Sequence, residues 1–405
     1  MAVRIQLGRL NEFCQRWALI PFFIGAFSTI LFDDGSHWME IIWKAIRYTS
    51  YLMLLFPVVY KLSCFVFGAY QNGSLRTSVI EKLREMPVWI IALIISGLMI
   101  VTAKNPQAFI LVLALAYIST GHYSNSGIAQ LFFLTGSVFF ILTVFLACTG
   151  VLENLTSIRQ GDGTIRYALG FMFPLETQCF LLFITLAYLF AYSHKYNSYI
   201  LVFLAGLNFL IFLATDARTS FLISELSILC AWALRHFRIR WSFPSWLLVL
   251  AVVLVFFVPV FGTYFYDSSN SVWISLNNLL TGRLELGHRA LMKYPIQLLG
   301  EPIKWIGYGN ATNAEVVSKT YNYVDCSYIK ILLESGVLFW SLLLYGYSWL
   351  LCHFNRKKNT LYIFLICMIL VFCVMEPRLD QLSMNFTLLF LSPAFYINRI
   401  RKEKA

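Results

Sequence analysis

Long apolar runs separated by short polar stretches dominate the chain from Trp17 onward. They read as candidate spans at Trp17–Phe32, Ala45–Phe67, Val88–Ala103, Gln107–Ser119, Ile128–Gly150, Ala168–Tyr192, Tyr199–Ala214, Thr219–Leu234, Phe243–Gly262, Ser327–Leu351, Leu361–Met375 and Leu382–Ile397. At about 20 apolar residues per crossing, that is about twelve spans. Gln107–Ser119 is the weakest, so eleven or thirteen also fit. Each span must be a helix, because in lipid only a helix satisfies its own backbone polar groups. A membrane barrel would alternate residue by residue instead. The expectation is an all-α, polytopic integral membrane protein, a single transmembrane domain over residues 1–405.

One connection breaks the pattern. Thr263–Cys326 is far longer than a helix connection needs, and long connections usually carry function or disorder. This one holds Trp273, Trp305 and many Leu, Ile and Tyr, so order is expected, with helices lying over the membrane face. Inside it, Leu276–Tyr294 reads as one helix that Pro295 stops. Leu276, Leu280, Leu284, Gly287 and Leu291 make a broad apolar face with Arg283 in its middle. Glu285 and Arg289 lie on the opposite face at i,i+4 spacing, the ordinary salt-bridge arrangement.

Composition sharpens the class. Of 405 residues, 59% are apolar and 13% charged, about half the usual charged share. That excludes a soluble enzyme, a secreted disulfide scaffold and a disordered chain. Eight of the nine cysteines fall in or beside apolar runs, and none forms a CxxC or a Cys/His pair at ligand spacing. No disulfide framework, zinc site, other metal or cofactor is expected. Walker and dinucleotide motifs are also missing, so ATP or NAD chemistry is unsupported.

The net charge of +11 follows topology. The first run follows Arg4, Arg9 and Arg16 and lacks a small-residue cleavage site, so it reads as an uncleaved anchor. With the N-terminus inside, the inner segments hold 17 basic and four acidic residues, a balance of +13. The remaining 14 basic and 16 acidic residues give −2. The positive-inside rule is obeyed, both termini are expected in the cytoplasm, and the basicity is no nucleic-acid footprint.

Candidate chemistry lies at the outer ends. An arginine on an apolar face is costly unless it snorkels or meets an anion, which singles out Arg283. Arg166, Arg218 and Arg378 stand on three other outer loops and could converge with it above one cavity. Arginine presents a planar fork suited to phosphate oxygens. Their plain alternatives are an interfacial anchor for Arg166, a partner for Glu225 seven residues on for Arg218, and local pairing with Glu376 and Asp380 for Arg378. Arg289, with a ready partner in Glu285, ranks below Arg283. His288, Asp325 and Glu225 are the candidate bases. Asp325 reads equally as a helix cap, and Glu225 is an intramembrane carboxylate, a functional candidate by default. Lys330 and Glu334 should neutralise one another at i,i+4.

Three stretches resemble the Wzy-type polysaccharide polymerases, the membrane relatives of the O-antigen ligases. They are I-R-Y-A-L-G-F-M-F-P from Ile165, A-T-D-A-R-T-S-F-L from Ala214, and T-G-R-L-E-L-G from Thr281 followed by Y-N-Y-V-D-C-S-Y-I-K-I-L-L-E-S-G from Tyr321. The dozen spans and the late outer loop match as well. Some members carry Arg-x10-Gly in two outer loops, and Arg159 to Gly170 and Arg289 to Gly300 fit that spacing. The resemblance implies a GT-C-like glycosyltransferase in the bacterial cytoplasmic membrane. Its substrate would be polyprenyl-pyrophosphate-linked oligosaccharide, polymerised into capsule, exopolysaccharide or O-antigen at the outer face. Chain-length regulators and a repeat-unit flippase are the protein partners implied. Trp273, Trp305, Tyr308 and Tyr321 could stack on sugars or anchor at the interface. A ligase of the same clan and a multi-span transporter or flippase are the competing readings. No internal repeat of the transporter kind is visible.

Overall fold

The computed structural model describes residues 2–31, 37–71, 89–121, 123–159, 163–193, 197–307 and 321–395. The chain is mostly helical, as its pattern requires. The helices are α1 (Ala2–Trp17), α2 (Leu19–Phe27), α3 (His37–Gln71), α4 (Trp89–Ala103), α5 (Gln107–Thr120), α6 (Asn125–Cys148), α7 (Pro174–Ala191), α8 (Ser198–Thr215) and α9 (Arg218–His236). They continue with α10 (Ser245–Tyr264), α11 (Ser271–Leu279), α12 (Arg283–Lys293), α13 (Ser327–Glu334), α14 (Gly336–Arg356) and α15 (Thr360–Met375). Five of these, α6, α7, α8, α10 and α14, are long and apolar enough to cross a membrane. The pair Gln6–Trp17 and Leu19–Ile30, bent by 46°, makes a sixth if it acts as one span. Three shorter apolar helices, Ala92–Ala103, Gln107–Thr120 and Thr360–Met375, accompany them.

The purely helical expectation needs one amendment. A small antiparallel hairpin, β1 (Thr156–Ile158) and β2 (Ile165–Tyr167), precedes α7 and pairs Ser157 with Arg166. The sixth expected span therefore begins at Pro174 rather than Ala168, with the proline at the helix start, where its missing N–H costs nothing.

Helix α7 is the centre of the bundle. Its spanning window is 89% buried, against 22–33% for α6, α8 and α10. The central helix is walled by α6, α8 and α9, while the outer ones turn Val202, Phe203, Leu213 and Val258 outward. Such exposed apolar faces suit lipid and would be a liability in water. Around α7, Phe27, Phe132 and Phe180 meet edge to face. Polar side chains are buried here as well, with Asn208 of α8 at their centre. Its Oδ1 accepts from Ser224 of α9 and Gln178 of α7, and its Nδ2 donates to Thr185. Side-chain bonds of this kind tie helices together where lipid offers no hydrophobic drive.

Three expected helices are broken. Leu276–Tyr294 is interrupted at Leu280–Gly282, where Thr281 and Gly282 take positive φ. Ser327–Leu351 divides at Ser335–Gly336. Leu382–Ile397, described as far as residue 395, begins in a turn and continues as a 3-10 segment, Phe386–Phe395. That segment is buried beside α5, α6 and α14. Irregular backbone is tolerated at membrane depth only inside protein, and here the bundle encloses it.

The second break has a visible cause. Segment 297–301 of the long connection docks on it: Glu301 N–H donates to Leu333 O, Val337 N–H to Gln297 O and Leu338 N–H to Leu298 O. Gly300 and Gly336, both near φ +82°, face each other there. A Cβ on Gly300 would stand 2.2 Å from Glu334 O, and one on Gly336 would stand 2.3 Å from Gly300 N. Only glycine fits either position.

Candidate functional site

The ends of α2, α4, α8, α10 and α15 and the starts of α5, α7, α9 and α13 meet at one end of the bundle. Met172 N–H donates to Ile30 O, and Asn105 Nδ2 to Ser335 Oγ. Arg378 reaches Glu176 at 2.8 Å, and Arg283 reaches Glu376 at 3.4 Å. The opposite end holds its own ties, such as Trp241 to Thr360 and Tyr117 to Cys14.

Arg283 is the first residue of α12. Its guanidinium donates to Met375 O, reaches Glu376 Oε1, and stands 4.0 Å from Asp325 Oδ2. The expected anion is thus supplied within the protein, and the side chain turns inward from a helix start rather than from mid-helix. Asn277, buried, accepts from Glu285 N–H and fixes that start. Glu376 is 2% exposed. Burial pushes its pKa up to about 7 although Arg283 pulls the other way. Asp325 is likewise raised by burial, against the pull of Arg283, Arg378 and Lys330.

Arg378 forms the second arm. It is buried, bonds Glu176 and donates from Nη1 to Gln381 Oε1 at 2.8 Å. Its partner across the bundle is therefore Glu176, not the neighbouring Glu376 or Asp380. Burial raises the Asp380 pKa to about 6, with Lys330 opposing. Lys330 and Glu334 stand 4.0 Å apart, and Trp305 Nε1 donates to Glu334 Oε2 at 3.2 Å.

Arg166, Arg159 and Arg218 form the third arm. Arg166 Nε donates to Thr215 O at 2.7 Å from strand β2. Asp216, in a left-handed turn between α8 and α9, takes Arg159 on one oxygen and Arg218 on the other. Burial raises the Asp216 pKa, and these two bonds more than reverse it, leaving it lowered. Arg218 is thus paired with Asp216 and not with Glu225. Asp216, Glu376, Arg159 and Arg218 are the charges that act on Arg166, which links this arm to the first.

Two candidate bases stay apart from these arms. His288 Nδ1 lies 3.0 Å from Thr263 O and its ring packs on Tyr266, against the end of α10. Glu225 lies within α9, with Oε1 buried and unpaired among the described residues. Arg289 makes the expected exposed pair with Glu285 at 3.7 Å. Gly170 and Gly300, the glycines of the spaced pattern, both pack tightly on neighbouring backbone, which gives each a structural reason. Trp273 stacks edge-on to Tyr266, and Trp305 sits between Tyr294 and Tyr323. Tyr308 lies outside the described residues.

Sequence reasoning names Glu376 only as a neighbour of Arg378 and does not single out Glu176. Their signal is in the sequence: each is a carboxylate set at the end of a long apolar run. Arg159 was noticed only through glycine spacing. No family profile, curated protein or solved structure matches the chain.

Proposed function

We propose that the chain is a membrane glycosyltransferase of the Wzy kind, joining polyprenyl-pyrophosphate-linked repeats at the outer face of a bacterial cytoplasmic membrane. In this reading the chain crosses about twelve times, keeps both termini in the cytoplasm, and turns the arginine-rich end outward. The observation that carries it is the meeting of Arg283 and Arg378 with the buried carboxylates Glu376 and Glu176, with Arg166 held on Thr215 O at the same end of an apolar bundle.

The chemistry follows from those groups. An acceptor hydroxyl attacks the anomeric carbon, the bond to the carrier pyrophosphate breaks, and the hydroxyl proton passes to a base. Asp325 is the base this geometry favours: it borders Arg283, and burial makes it more basic than an ordinary carboxylate. His288 and Glu225 are set aside on position. Arg283 stabilises the charge that grows on the leaving pyrophosphate. Arg283 must first release Glu376. Protonation near neutral pH removes that carboxylate's charge and frees the guanidinium fork.

The test is reconstitution of the purified protein in lipid vesicles with lipid-linked repeats from its own host. A ladder of polymer on the carrier is expected. Repeats that stay single, or that only cross the vesicle wall, would overturn the reading.

A further inference from the structure

A cleft of about 240 Å³ opens between α2, α3, α5 and the connection after α15. It is lined by Glu176, Arg378, Asp380, Gln381 and Ser383, and from α2 with the turn after it, α3 and α5 by apolar Phe22, Ala26 and Ile110 interspersed with Thr29, Tyr51 and Gln107. Glu176 and Arg378 are both more than nine-tenths buried, and each leaves one polar atom, Oε2 and Nε, without a partner among the described residues. The two side chains bond each other through Oε1 and Nη2, so one buried polar atom on each is left over, and native structures seldom keep such atoms without a reason.

The chemistry of the wall selects the occupant. Two carboxylates against one guanidinium give a balance of −1, which repels a phosphate. An acyl tail would strand every one of these groups. A neutral sugar suits them: each hydroxyl both donates and accepts, carboxylates accept, and guanidinium and amide groups donate. Phe22, Ala26 and Ile110 take the C–H face of a pyranose ring, and Thr29 and Gln107 add further hydroxyl and amide partners.

We infer that this cleft seats a neutral sugar unit of the acceptor repeat, with Glu176, Arg378 and Asp380 as its hydrogen-bonding floor. The inference rests on the polymerase reading and divides its site in two. Arg378 then serves the sugar and Arg283 the pyrophosphate. The two residues share one link, since Arg283 holds Glu376 two positions before Arg378.

The probe is the lipid-free oligosaccharide released by mild acid from the host's own carrier, followed by saturation-transfer NMR on the protein in nanodiscs. Transfer to the oligosaccharide is expected, with inorganic pyrophosphate failing to compete it away. Asp380→Asn should weaken binding at least fivefold. Ala26→Trp, which fills the cleft from its apolar side, should weaken it at least tenfold. Because Ala26→Trp could disturb folding, Asp380→Asn with an unchanged thermal midpoint is the deciding variant. Binding unchanged in both variants, or competed by pyrophosphate, overturns the sugar cleft. A ladder in the vesicle assay beside that result spares the polymerase reading. Oligosaccharide binding without any ladder spares the cleft and sinks the polymerase.

Discussion

Arg283 and Arg289 lie six residues apart on one helix and have opposite fates. Arg283 is enclosed by Met375 O, Glu376 and Asp325, whereas Arg289 holds only exposed Glu285, a pair worth about 0.2–0.5 kcal/mol. Arg283→Ala should abolish polymer while the protein still accumulates in the membrane. Arg283→Lys should rescue poorly, since a point charge cannot make the forked contact. Arg289→Ala should keep most activity. An inactive Arg289→Ala beside an active Arg283→Ala would favour the spaced-glycine pattern instead. Glu376 makes a pH prediction. Its folded pKa of about 7 lies above the ordinary carboxylate value, so the folded state binds the proton more tightly. Its contribution to stability is therefore present at low pH and lost as pH rises through about 7. The thermal midpoint in detergent should fall between pH 5 and pH 8, and Glu376→Gln should flatten that slope. A midpoint that climbs with pH across this window would contradict the assignment.

Elements were legible where hydropathy alone decides them. The runs at Gln107–Ser119, Tyr199–Ala214 and Leu361–Met375 match α5, α8 and α15 within a residue or two at each end. Their breaks were not legible, because tertiary contacts make them. Nothing local to Ser335–Gly336 announces that segment 297–301 will pair there. The 3-10 segment at Phe386–Phe395 looks like any other apolar run until its neighbours enclose it. That Arg283 stands among apolar positions, where a charge needs a partner, was legible; the partner was not, since Glu376 lies 93 residues away in sequence. Gly300→Ala tests the docking. Its Cβ would collide with Glu334 backbone at a positive φ, which should cost about 3 kcal/mol or more and lower the thermal midpoint. Gly206→Ala, a helical glycine with open space around it, should leave the midpoint unchanged or raise it. Equal effects from the two would mean that the 297–301 segment does not seat on the break.

For the whole molecule, the distribution of charge predicts an orientation. Basic residues gather in the connections at the α1 end, and the Arg–carboxylate cluster occupies the other. Ser269 is exposed in the long connection, so a cysteine placed there should react with an impermeant reagent in intact cells. Reaction only after permeabilisation would invert the bundle. The central claim is polymerisation, and lipid-linked intermediates report on it most directly. In a host strain lacking this chain, the carrier-bound glycans should be single repeats, restored to long polymer by the native chain and not by Arg283→Ala. Long polymer accumulating on the carrier in the deletion strain would contradict the claim and point to a ligase.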